Sequence, residues 1–367
     1  MNPENLLTSK IIEESIKIDF GTSDVKLLSW NQNNCSAVGD NFFNVVKRIE
    51  VQCSIGGIEK EVTYVAKLNP CKTEDLFNPY RERAMLKEVF FYKELLPLLN
   101  LELKKMGSEG LHVPRYIHSS IISENEVIIL EDLRPKGFIT SKKQEMDHAH
   151  SEILAREIAK LHAASMSLEE TLKGIKLDEK FPLLIESWLV GEEKLRNAFD
   201  GVFKKGLRLN LRLINALEEY DDSDTPVDVM IFDWQTVRVA NVGSEISYLL
   251  FSSYFGPPRT KYFSPIINAY YDKLQNLLGT KSLPPLQDLE NEVKNNQFGF
   301  LICFYLFPLS LCVSDPSELF KIEKEDIVDE DERLGSAKEL LRSNERLNFV
   351  LKDYLTYFEN NLNKFTF

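Results

Sequence analysis

The stretch FNVVKRIEVQCSIGGIEKEVTYVAKL, residues 43–68, decides how the chain begins to fold. Its odd positions Phe43, Val45, Ile49, Val51 and Cys53 are apolar, with Lys47 the exception. Its even positions include Asn44, Arg48, Glu50 and Gln52. A period of two is the mark of a strand with one buried face. Gly56-Gly57 follows, a pair that accepts positive φ at both central positions of a tight turn. Val62, Tyr64, Ala66 and Leu68 then alternate again, so the expectation is two antiparallel strands joined by a hairpin.

On the C-terminal side, Met85, Val89, Tyr92 and Leu96 recur at helical spacing and predict a helix over Pro79–Leu96 that Pro97 closes. Val127–Leu130 is wholly apolar, a strand buried on both faces. It runs into Glu131-Asp132-Leu133-Arg134-Pro135-Lys136-Gly137, where Pro and Gly mark a break. Beyond it the pattern turns helical. Leu154, Ile158, Leu161 and Ser165 line a helix ending near Ser165, and further helices are expected around 265–278, 286–313 and 336–360. One more strand, with Val227, Val229 and Ile231 alternating, runs up to Phe232-Asp233-Trp234-Gln235. There is no internal repeat and no low-complexity linker. The class is therefore α+β: an antiparallel sheet with one helix over 1–135, a hinge at 131–136, and a mainly helical part over 136–367. That is the bilobal arrangement of protein-kinase-like folds.

The bulk composition suits two packed lobes: 367 residues, 43% hydrophobic and 28% charged. Forty-four basic against 57 acidic residues give a net charge of −13, which repels phosphate backbones and anionic lipid. Nucleic acid and membrane surfaces are therefore excluded as partners. The five cysteines are odd in number and scattered, with no CxxC pair, which points to a reducing compartment and against a structural zinc. No basic, then apolar, secretory signal opens the chain. The longest apolar run, Phe298–Val313, is shorter than the ~18–20 residues that span a bilayer and reads as a buried core helix. The expected location is the cytoplasm.

Four features bear on chemistry. Lys67, alone, reads as an exposed strand lysine. Glu88, however, sits mid-helix on an otherwise apolar stretch, where a carboxylate needs a partner, and Lys67 on the preceding strand is the natural one. Gly39-Asp40-Asn41 precedes the first strand and reads either as a nucleotide-covering loop or as an ordinary turn. Asp233 ends the run Val-Met-Ile-Phe, a place where a carboxylate either meets Mg²⁺ or simply faces water. His162, on a helix among small residues, reads as structural.

In combination these segments resemble the insect and nematode family of ecdysteroid-kinase-like or choline-kinase-like (CHK) proteins, relatives of aminoglycoside phosphotransferases. The resemblance runs through Gly39-Asp40-Asn41-Phe42-Phe43 and the Lys67 strand, then Leu86-Lys87-Glu88-Val89-Phe90-Phe91-Tyr92. It continues through Ile129-Leu130-Glu131-Asp132-Leu133, Leu154–Ser165, Asp233-Trp234-Gln235, and Gly243–Phe251, where Glu245 stands in place of the usual Asp. It implies ATP and Mg²⁺ as cofactors and a small-molecule hydroxyl, an ecdysteroid-type steroid foremost, as acceptor. Lys67 and Glu88 would position the phosphates, Gly39 would cover the nucleotide, backbone groups of Glu131 and Leu133 would bind adenine, and Asp233 would hold Mg²⁺.

One part of the family pattern is missing. Its catalytic loop, H-G-D-x-x-x-x-N, precedes the D-F-Q strand, yet this chain has no histidine after His162. On the best register Asn210 takes the place of the catalytic Asp, and Asn215 keeps the metal-binding Asn. Alternatively Leu195, Phe199, Val202, Leu209, Leu213 and Ala216 place Glu192–Glu219 on one continuous amphipathic helix, with Asn215 on its surface. The helical spacing and the short run from His162 to Asp233 favour the helix. Two functions follow: a small-molecule kinase, or a non-catalytic nucleotide-binding pseudokinase.

Overall fold

The computed structural model describes residues 6–35, 44–69, 78–122, 126–139, 147–185, 215–220, 226–279, 283–296 and 344–361. Helix α1 (Ser9–Phe20) opens on Thr8, whose hydroxyl accepts from Ile11 N, and stops at Gly21 with φ 62°. Strands β1 (Val25–Asn34), β2 (Val45–Ile55) and β3 (Ile58–Leu68) follow. Gly56 and Gly57, at φ 58° and 81°, make the two-residue turn between the paired Ile55 and Ile58. Next come α2 (Asn78–Phe90), a π turn over Phe91–Leu95 and α3 (Leu96–Lys105). After β4 (Tyr116–Ser120) and β5 (Val127–Glu131) the sheet is complete, antiparallel throughout, in the order β1-β2-β3-β5-β4.

The rest is mainly helical: α4 (His148–Thr171), the short α5 (Leu177–Lys180), α6 (Val242–Ser253), α7 (Pro257–Leu278), α8 (Leu286–Asn295) and α9 (Glu345–Asn360). Between α5 and α6 stands a two-stranded ribbon of β6 (Asn215–Tyr220) and β7 (Pro226–Phe232). Each face of the sheet has its own core. Ile49, Val51, Tyr64, Ala66, Val127 and Ile129 pack against Ile12 and Ile16 of α1. Ile128 and Leu130, the alternate residues of β5, face the other way into a core of Met85, Phe91, Leu95, Leu154 and Ile158. The wholly apolar Val127–Leu130 is thus buried on both faces, as its composition predicts.

Several expectations need correction. Pro97 does not close the helix. The turn over Phe91–Leu95 widens, with Leu96 N bonding Phe91 O, and the chain continues helical through Pro97 to Lys105. A proline lacks the N–H of the ladder and crowds the carbonyl four residues back, and a wider turn just ahead of it gives that carbonyl room. Helix α4 runs past Ser165 to Thr171, because Leu168 still packs in the core and the chain breaks only at Lys173-Gly174, both at positive φ. The continuous helix over Glu192–Glu219 fails at its C-terminal end. Residues 215–220 form β6, whose pairing satisfies the backbone polar groups of β7; residues 192–214 lie outside the described residues. Helices α1 and strands β1 and β4 have no counterpart in the sequence reading. Strand β1 is an edge, bulged between Leu27 and Ser29, with polar residues on both faces and hence little alternation. The apolar run Phe298–Val313 lies outside the described residues, as do the parts of the expected helices at 297–313 and 336–343.

Candidate active site

Strand β3, helix α2 and the end of β7 converge on one ammonium. Lys67 Nζ lies 2.5 Å from Glu88 Oε2 and 2.6 Å from Asp233 Oδ1. Alternation places Lys67 opposite Val46 on the face turned toward α2, away from the α1 core. It is only 6% exposed, and Glu88 is fully enclosed. The pair with Glu88 that the sequence led us to expect is present, and Lys67 is not the exposed strand lysine it would read as alone. Burial pulls the Lys67 pKa down, but the charges of Asp233 and Glu88 more than offset it, so the ammonium form is favoured. Burial raises the Glu88 pKa and Lys67 opposes that rise.

Asp233 is held at φ 72°, a left-handed conformation unusual for a residue with a side chain. It turns the chain from β7 into the short turn Trp234–Thr236. The Gln235 amide donates to the same Oδ1 that accepts from Lys67. Trp234 stacks on Phe91 with centroids 3.8 Å apart and planes 10° from parallel. The Asp-Trp-Gln segment is thereby packed onto the helix that carries Glu88. Neither the Gln235 bond nor this stack was visible beforehand, since both partners of each look like ordinary polar or core residues.

Asn215 opens β6 directly opposite Phe232, one residue before Asp233. Its backbone thus stands at the same end of the ribbon as Asp233, in a strand and not on a helix surface. Asn210 and Gly39 lie outside the described residues. Among the described residues no group of three or more His, Cys, Asp or Glu gathers to hold a metal. A lone Asp233 carboxylate suits Mg²⁺, which keeps few protein ligands and takes the rest from phosphate and water.

At the hinge, Asp132 is buried and accepts from Arg48 Nε of β2 at 2.8 Å and from Arg134 N at 3.1 Å. Glu131 spends its side chain on Lys136, at 2.7 Å, and on Arg115 N. Leu133 O accepts from Lys136 N and Phe138 N, and no partner of the Leu133 N–H is seen among the described residues. In this segment the Glu131 and Asp132 side chains are thus spent on protein contacts, and what it leaves open is backbone. The Arg48–Asp132 pair that fixes it joins residues far apart in sequence and leaves no local signal.

His162 Nδ1 lies 2.9 Å from the Tyr270 hydroxyl, and burial lowers its pKa to about 4. A neutral histidine bonded to a tyrosine fits the structural role. Its ring also borders a cavity of about 450 Å³ beneath Asp233, whose walls include Leu161, Met166, Val237 and Arg238. Glu245 lies 3.8 Å from Arg238.

No curated protein matches the chain. Among solved structures it is similar to the choline kinase of Cryptosporidium parvum Iowa II, at 12% identity over 89% of this chain and 94% of that one. The TM-score of 0.28 is too low to carry an argument. The family model described as ecdysteroid kinase-like matches residues 38–214 and 210–282, together more than half of the chain. With Lys67, Glu88 and Asp233 joined at one point within that span, the chain belongs to the ecdysteroid kinase-like family.

Proposed function

We propose that the chain binds Mg·ATP between the sheet of residues 1–135 and the helical part of 136–367 and phosphorylates the hydroxyl of a small molecule, an ecdysteroid-type steroid being the leading acceptor. The observation that carries this reading is Lys67 shared between Glu88 and Asp233. Phosphoryl transfer needs positioning and charge neutralisation more than covalent groups. Lys67 would donate to phosphate oxygens while Glu88 fixes its aim. Asp233 and Asn215 would hold Mg²⁺, which when bound neutralises charge on the phosphates. Backbone groups of Glu131 and Leu133 would bond adenine beneath the Gly39 loop. The cavity beneath Asp233 supplies apolar wall for a steroid-sized acceptor. Among the described residues no helix is long and apolar enough to cross a membrane.

A second reading, a nucleotide-binding protein without turnover, is favoured by one specific observation: with no histidine after His162, the H-G-D loop has no counterpart. Asn210 in the Asp position could orient a hydroxyl but could not take its proton, a loss of about 10²–10⁴ in rate. Two measurements separate the readings, the melting temperature with Mg·ATP and transfer of labelled phosphate to hydroxyl acceptors. Enzyme activity predicts both a thermal shift and product, each abolished by Asp233→Ala. A shift with no product for any acceptor establishes the second reading. Turnover that survives Asn210→Ala would place the base elsewhere. No shift at all would sink nucleotide binding itself.

A further inference from the structure

Asn44, one residue ahead of β2, is only 6% exposed, yet neither its amide nitrogen nor its amide oxygen has a hydrogen-bond partner. A primary amide brings two donor hydrogens and an acceptor oxygen, and burying all of them unbonded is rare in folded proteins. Strand register fixes the face on which it stands. Val46 lies opposite Lys67; opposite residues share a face, and positions two apart return to it. Asn44 therefore stands on the Lys67 side of the sheet, away from the α1 core. Asn69, two residues past Lys67, shares that face. It is fully buried, its Nδ2 donates to Glu126 Oε2 at 3.0 Å, and its Oδ1 has no partner. The hinge is at the other end of these strands, since Tyr64 pairs with Glu131 and Lys67 with Ile128. A ligand reaching from the hinge past Lys67 meets Asn44 last.

We propose that Asn44 is a second side-chain donor to the phosphates of the bound nucleotide, acting beside Lys67; this rests on the nucleotide-binding reading above. Its neutral N–H groups suit an oxyanion whose charge Lys67 already counters. Adenine is excluded as the partner by the distance along the strands from the hinge. A cation is disfavoured because the Glu126 carboxylate on this side is engaged by Asn69.

The test is calorimetric binding of Mg·ATP, adenosine and Mg²⁺ alone to the full chain, wild type and Asn44→Ala, together with ligand-free melting temperatures. Asn44→Ala is expected to weaken Mg·ATP by about tenfold, the loss of roughly one hydrogen bond to a charged group. Adenosine affinity should be unchanged, and the ligand-free melting temperature no lower, because the deleted amide bonds nothing. Asn44→Asp, which replaces the donors with negative charge, should weaken Mg·ATP further. Equal Mg·ATP affinity in wild type and Asn44→Ala overturns the proposal. So does a lowered melting temperature with ATP and adenosine weakened alike, which makes the amide structural, or loss of Mg²⁺ binding alone, which makes the place a cation site. A wild-type protein that binds neither ATP nor adenosine defeats the nucleotide-binding reading, and the Asn44 assignment with it.

Discussion

A lysine between two carboxylates is held by both, and removing it leaves Glu88 without its cation. Glu88 is fully enclosed, so Lys67→Met should strand a buried charge and cost about 3–5 kcal/mol in urea unfolding. A change under about 1 kcal/mol would mean that Glu88 is already neutral in the folded protein. His162 makes a separate claim on pH. The residue is partly buried, and its folded pKa of about 4 lies below the ~6.5 of an unfolded histidine. The unfolded chain therefore binds the proton first. Stability is unaffected above pH 6.5 and is lost as pH falls from there toward 4, by at most about 3 kcal/mol. His162→Gln should flatten the fall of the urea midpoint between pH 7 and pH 4.5; an identical fall in both proteins refutes the assignment. Of these residues, Lys67, Glu88 and Asp233 were legible because each is a charge set in an apolar run, and buried charge demands a partner. Gln235, Arg48 and Asn44 carry no such contrast with their neighbours, and only register and burial single them out.

Among the elements, those with strong alternation or period were readable and those without were not. The β2–β3 hairpin follows from two alternating runs about a Gly-Gly pair. At Gly57 an added Cβ meets nothing within 4 Å, so the constraint is the backbone alone. With φ at 81°, Gly57→Val should cost about 1–2 kcal/mol through the left-handed backbone, measurable as a lowered melting temperature. No change would show that the turn can switch type. Strand β6 shows how a pattern misleads. Apolar residues at Leu209, Leu213 and Ala216 have helical spacing, yet the chain from Asn215 pairs with β7. A local period gave way there to a ladder of hydrogen bonds with a partner that starts eleven residues further on.

At the scale of the whole molecule, helix α9 is fastened to the helical part by one buried cation. Arg259 of α7 donates to Tyr254 O at 3.1 and 2.8 Å, pairs with Asp353 of α9, and lies 4.4 Å from the centroid of Phe251. Asp353 also accepts from Gly256 N. Arg259→Ala should cost about 3–5 kcal/mol and open α9 to limited proteolysis; uncut α9 in the variant would show that its apolar face suffices. The Arg259–Asp353 pair was not legible, because it joins residues almost a hundred positions apart. The sheet and the helical part also meet through the helix that bears Glu88, and its widened turn over Phe91–Leu95 has an evolutionary consequence. A π turn is an α-helix with one residue to spare, so the spare residue and Pro97 make each other tolerable. Shedding the residue alone would press the proline ring on the ladder, and shedding the proline alone would leave a widening with no purpose. The two features should be inherited or lost as a pair.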